Sequence, residues 1–147
     1  MSNEQQCPSC GTLWTEGVTC TDHFHQMLFW EAEFPPLGEV HHLMVLCYHL
    51  QHPELYSPDG LKFSRGLLED FVVRGVTPAE VRQRDRDKVD SGKRDFKIAG
   101  RPGLQGAYPH PIPWMMTAAD VVAGGADNYI ENVRAWARSV YESLKAV

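Results

Sequence analysis

All four cysteines and six of the seven histidines of this 147-residue chain lie within its first 52 residues. The closest pair sits in "CPSCG", as Cys7 and Cys10. A short turn can point two thiolates spaced this way at one ion, which makes them half of many zinc sites; the same spacing also serves redox couples. Redox use goes with a strand leading into a helix whose N-terminus lowers the thiol pKa, and the polar residues ahead of Cys7 signal no strand. A tetrahedral metal ion would need two more donors. The candidates are Cys20, His23, His25, His41, His42, Cys47, His49 and His52.

Helix geometry thins that set. His41 and His52 are eleven residues apart, about 16 Å along a straight helix, too far to share one ion through bonds of about 2 Å. The same reasoning separates His41 and His42 from His49. His49 and His52, three apart, converge on one face. The chain breaks at "PPLG" (35–38) between two helical segments, and a short break favours an antiparallel pair. Folding about residue 37 sets position 20 opposite position 54. Cys20 then lies beside His49 and His52, with His41 and His42 at the far end. The expected metal ligands are Cys7, Cys10, Cys20 and His52, a Cys3His tetrahedron for Zn2+, with His49 or His25 as substitutes for His52. Cys47, inside the apolar run "LMVLCY" (43–48), reads as a buried thiol. His23 and His25 fall in a first helical turn, exposed or beside the ligands.

The elements that must position these donors are helical. "HFHQMLFWEAEF" follows Thr21 or Asp22 as N-cap and spaces Phe24, Met27, Leu28 and Phe34 for one face. "EVHHLMVLCYHLQH" is apolar nearly all round and ends against Pro53, as suits the centre of a bundle. Ser57 and Pro58 open a third helix, whose stripe runs through Phe63, Leu67, Leu68, Phe71 and Val72 to a stop at Gly75. "TPAE" (77–80) is a capping box for the charge-alternating "PAEVRQRDRDKV", a solvated helix. Thr117 with Asp120 starts another, "GGAD" interrupts it, and Tyr129, Val133, Trp136, Val140 and Leu144 mark a final one. The expected fold is all-α: a single-domain helical bundle over 1–147. It comprises a zinc-knuckle-like segment (1–20), helices (21–90), one Gly/Pro-rich irregular loop (91–116) with a short extended piece at "DFKIA", and C-terminal helices (117–147).

"CPSCG", "TC" (19–20), "HHLMVLCYHLQHP", "WMMTAADV" and "VRAWARSVYESL" together resemble a bacterial family of unknown function. That family carries an N-terminal CPxCG and a helical HxLxVxxYxxQHP stretch. The resemblance covers most of the chain and singles out Cys7, Cys10, Cys20, His41, Tyr48, Gln51 and His52. The chain departs from it at Leu46, where the family often has Asp. No activity comes with the resemblance.

Composition bounds the function classes. Residues 1–61 hold eight acids and no Lys or Arg, residues 62–101 hold eleven bases against seven acids, and the chain totals −5. A cluster of thiols in an acidic segment suits a cation. No apolar run reaches the ~20 residues of a membrane span, and no signal peptide opens the chain, so a cytoplasmic protein without membrane partners is expected. Three thiolates and an imidazole normally close a structural site. Two alternatives stand beside it. One is a metal-dependent enzyme of the DinB-like bundle type that uses histidines, with His41 or His42 as a second centre. The other is phosphate or nucleic-acid binding through residues 82–101, where Arg84, Arg86, Lys88, Lys93, Arg94, Lys97 and Arg101 cluster. Interleaved Asp85, Asp87, Asp90 and Asp95 argue against nucleic acid. These charges could also answer the acidic half in a homo-oligomer. Tyr108 and Trp114 are candidates to line a pocket for a small molecule.

Overall fold

A computed structural model describes residues 5–77, 79, 80, 83 and 99–147. These form five helices and one two-stranded sheet, the helical architecture expected. The sheet pairs β1 (Gln5–Gln6) with β2 (Leu13–Trp14). Most of the solvated helix expected after "TPAE", and nearly all of the basic cluster and of "DFKIA", lie outside the described residues.

Helix α1 spans Cys20–Glu33. It begins earlier than a cap at Thr21 or Asp22 would place it, because Thr19 and Asp22 cap each other. The Thr19 N–H donates to the Asp22 carboxylate at 2.8 Å, and the Asp22 N–H donates to Thr19 Oγ1 at 3.3 Å. The consequence is functional: Cys20 becomes the first helical residue, at the positive end of the helix dipole.

"PPLG" forms a 3-10 turn within Pro35–Val40, and helix α2 (His41–Leu50) runs back. Three cross-helix pairs fix the antiparallel register: Glu31 with His41, Phe24 with Tyr48, and Cys20 with His52. All three are symmetric about Pro36, one residue from the fold-back point read from the sequence. Helix α2 is the central element. Leu43, Met44, Leu46, Cys47, Tyr48 and Leu50 are buried, where it packs on α3 (Pro58–Val72) and α5 (Tyr129–Lys145). Ser57 caps α3 by accepting from the Gly60 N–H at 2.9 Å, and Leu61, Ser64 and Leu68 face inward. The reciprocal Thr117–Asp120 box starts α4 (Ala118–Ala123), which packs on α1. Helix α5 has the clearest amphipathic pattern and buries Tyr129, Val133, Trp136, Ala137, Val140 and Leu144.

The described part of the Gly/Pro-rich loop is a strap across the α2–α3 connection. The Gly100 N–H donates to Leu55 O at 2.9 Å and the Gly106 N–H to Tyr56 O at 2.7 Å. The Tyr108 hydroxyl donates to Leu50 O at 2.5 Å. The strap thereby braces the segment carrying His52. Among the described residues no helix is long and apolar enough to cross a membrane.

Glycine is required where strap and connection touch. A Cβ on Gly100 would sit 2.7 Å from Tyr56 O, a backbone atom that cannot step aside. Gly100→Ala is expected to cost about 1–3 kcal/mol by overpacking. Gly66, inside α3 with open space at its Cβ position, is expected to gain about 0.5–1 kcal/mol as Ala. Urea denaturation of the two variants gives opposite signs if the strap sits as described.

Candidate metal centre

The N-terminal turn is organised by its backbone. In the β1–β2 ladder Gln5 lies opposite Trp14 and Gln6 opposite Leu13. The Cys7 N–H donates to Thr12 O at 2.8 Å and the Gly11 N–H to Cys7 O at 3.0 Å. Gly11 closes the turn at φ +81°, a left-handed conformation that explains glycine directly after the second cysteine. The Cys10 N–H points at Cys7 Sγ, 3.5 Å away. A strand ahead of Cys7 was not expected, since two glutamines carry little β preference and only pairing with β2 makes them extended. That strand leads into a turn rather than a helix, so the geometry that activates redox dithiols is not formed here.

The structure brings Cys7, Cys10, Cys20 and His52 together: one donor atom from each lies within 4.8 Å of all the others. Every one of these residues is at most 6% exposed. Cys10 Sγ and Cys20 Sγ are 3.6 Å apart. That is far beyond a disulfide bond of about 2.05 Å. It is close to the edge of about 3.8 Å that two 2.3 Å metal–sulfur bonds subtend at the tetrahedral angle.

His52 is oriented from behind. Its Nδ1–H donates to Tyr48 O at 2.6 Å, and its ring stacks on Tyr48 with centroids 4.3 Å apart. Phe24 lies on Tyr48 in turn, at 4.6 Å. This tautomer leaves Nε2 with a lone pair, and Nε2 is buried without a hydrogen-bond partner among the described residues. A metal-binding histidine has this arrangement, one nitrogen tied to a carbonyl and the other free.

Protons and charge in the group are shared. One proton lies between Cys10 Sγ and Cys20 Sγ, which pushes the Cys10 pKa down, and contacts with His52 and Thr12 push it further. Cys20 is pushed up by the same bond. Burial alone would lower His52, but its contacts with Cys10 and the Tyr48 carbonyl leave it raised. A cation entering such a group displaces protons, so its affinity is linked to pH.

The other candidates are elsewhere. His49 is half-buried against Tyr56, ring centroids 5.2 Å apart, with a pKa lowered by burial, and is outside the group of four. His25 is exposed and His23 half-buried. Cys47 is fully buried and its thiol is pushed up by that burial. Leu46 is in the core. Gln51 is a tie between elements: its amide donates to Met116 O at 2.7 Å and accepts from the Trp136 indole at 3.2 Å. Tyr108 and Trp114 pack edge to face beside a groove of about 810 Å³ that also touches Cys7 and Cys10.

His41 is engaged with Glu31, its Nδ1 lying 2.6 Å from Glu31 Oε1. The Tyr129 hydroxyl donates to the other carboxylate oxygen, Oε2. Sequence reasoning missed Glu31, although the fold-back that pairs 20 with 52 also pairs 31 with 41. It missed Thr12 and Trp14 too, whose polar atoms lie 3.1 and 3.2 Å from Cys10 Sγ and Cys20 Sγ.

Comparison with known proteins adds one finding. Residues 5–145 match a family of unknown function, DUF5946. The chain belongs to that family. The DUF5946 match begins in β1 and runs to the last residue of α5, so turn and helices are both inside it. No curated protein and no solved structure matches the chain.

The His41–Glu31 pair sets a pH dependence. Hydrogen bonding to Glu31 raises the His41 pKa above its ordinary value, burial opposing. The stability it contributes is full below the unfolded value of about 6.5 and is lost as pH rises through the higher folded value. His41 is 42% exposed, so the effect is expected to stay under about 1 kcal/mol. The melting-temperature gap between the natural sequence and His41→Phe, measured from pH 5.5 to 9, is expected to narrow as pH rises.

Proposed function

We propose that this protein binds one zinc ion through Cys7, Cys10, Cys20 and His52, and that the ion's role is structural. The observation that carries the reading is the buried His52 Nε2, fixed by the Tyr48 carbonyl and left facing three sulfurs without a partner. A buried polar atom without a partner costs about 1–3 kcal/mol; an ion bonded to it removes that cost. Soft thiolates with one imidazole in a tetrahedral arrangement favour zinc over magnesium, calcium or manganese. Four protein donors fill the coordination of a tetrahedral ion and leave no position for water or substrate.

The ion would then tie three separate pieces of chain together: the β1–β2 turn, the first residue of α1 and the residue just after α2. Otherwise the turn is held by the Ser9 hydroxyl donating to the Glu54 carboxylate at 3.1 Å and by the packing of Trp14. Leu13 is 56% exposed and Val18 40% exposed, so this segment adds little apolar burial. Metal free energy becomes folding free energy in such a segment.

Elemental analysis of protein purified without an affinity tag is expected to give about one zinc per chain. Cys20→Ser is expected to lose the zinc and to melt roughly 10 °C or more lower, as removal of several kcal/mol implies. An excess of a strong chelator should reproduce that shift in the natural sequence. Zinc absent from freshly purified protein, or lost without any change in melting, would count against a structural ion.

A further inference from the structure

The β1–β2 hairpin does more than present two cysteines. From Thr12 into β2 exposure alternates, with Thr12 buried, Leu13 exposed and Trp14 half-buried. Residues two apart on an extended strand share a face, and here that face is turned to the sulfurs. The Trp14 indole N–H donates to Cys20 Sγ at 3.2 Å, and Thr12 Oγ1 lies 3.1 Å from Cys10 Sγ. Toward a thiolate the hydroxyl can only be the donor. Cys7 Sγ faces the backbone N–H of Cys10 at 3.5 Å. Each of the three sulfurs therefore has a donor of its own, from three different kinds of group.

Resting on the zinc reading above, we propose that Trp14 and Thr12 are positioning residues that draw charge from the metal-bound Cys20 and Cys10 thiolates and so protect the site from thiol-reactive electrophiles. Three thiolates exceed the charge of a divalent ion by one, and that excess resides on sulfurs buried among apolar side chains. An uncompensated metal thiolate remains nucleophilic: its sulfur lone pair can form a carbon–sulfur bond while the metal–sulfur bond breaks. A hydrogen bond to the sulfur lowers that electron density. The indole also lies against the sulfur, so the donor and the steric cover of Cys20 are one side chain. The two effects separate in Trp14→Phe, which keeps most of the cover and removes the N–H. Thr12→Val keeps the shape and removes the hydroxyl, and Thr12→Ser restores it.

The test follows zinc release from the full-length zinc-loaded protein on addition of N-ethylmaleimide, with a chromogenic chelator reporting the ion. Zinc content and the near-ultraviolet charge-transfer band of the cobalt-substituted protein are measured alongside. Trp14→Phe and Thr12→Val are expected to hold about one zinc each, to release it roughly tenfold faster, and to shift the sulfur-to-cobalt band to lower energy. Thr12→Ser should return both the rate and the band to those of the natural sequence. Natural-sequence rates and unshifted bands in the zinc-loaded Val and Phe variants would overturn the proposal while leaving the zinc reading intact. A natural protein that holds no zinc would overturn both. If Trp14→Phe does not fold, the Thr12→Val and Thr12→Ser pair decides alone.

Discussion

Crowding three sulfurs and an imidazole nitrogen into a space 4.8 Å across, away from solvent, is the constraint around which this chain is arranged. It is met by three pieces that are separate in sequence: a two-stranded turn, the start of α1 and the exit of α2. Local geometry handles each piece separately. Gly11 closes the turn, the Thr19–Asp22 box puts Cys20 at a helix start, and the Tyr48 carbonyl holds the His52 ring. On the proposed reading an ion makes these three local solutions one structure. Without it the arrangement keeps a buried, unpartnered nitrogen and a crowd of sulfurs sharing protons, which is unfavourable on both counts.

Helix α2 distributes that constraint through the rest of the fold. Polar side chains at its start and at its exit each reach a different element. His41 reaches α1 through Glu31, Gln51 reaches the Met116 carbonyl ahead of α4 and the Trp136 indole of α5, and His52 reaches the turn. Between these groups α2 buries a mainly apolar stretch, and each group is hydrogen-bonded or, for His52 Nε2, faces sulfur. Buried polar groups with full partners specify one register where apolar contacts alone tolerate sliding. The family resemblance singled out His41, Tyr48, Gln51 and His52, and the separation of His41 from His52 read from the sequence holds in the structure. They lie at successive points along α2 and its exit: His41 and Gln51 make separate ties, and Tyr48 holds His52.

Much of this was legible beforehand because it depends on short-range rules. Proline and glycine marked the break at 35–38, apolar spacing marked α3 and α5, and a Thr117–Asp120 box marked α4. The fold-back needed one further assumption, that a short break makes an antiparallel pair, and that was enough to bring Cys20 to His52. The choice of His52 over His49 came from position along the helix, whereas in the structure the Tyr48 carbonyl and ring orient His52. What was not legible depends on pairing between segments. Gln5 and Gln6 have no strand character of their own, so β1 exists only because β2 lies beside it. The start of α1 was misplaced because a Thr-x-x-Asp box two residues earlier outcompetes a lone cap. Trp14 carries no signal in the sequence, because its direction toward Cys20 comes from the strand face.

Extended X-ray absorption fine structure at the zinc edge reads the central constraint directly, since it counts the atoms bonded to the ion and measures their distances. For protein purified without added metal, the expected result is a shell of three sulfurs at about 2.3 Å and one nitrogen at about 2.0 Å. His52→Ala should remove the nitrogen at that distance. A shell of oxygen and nitrogen with fewer than three sulfurs, or a preparation with no zinc edge at all, would contradict it.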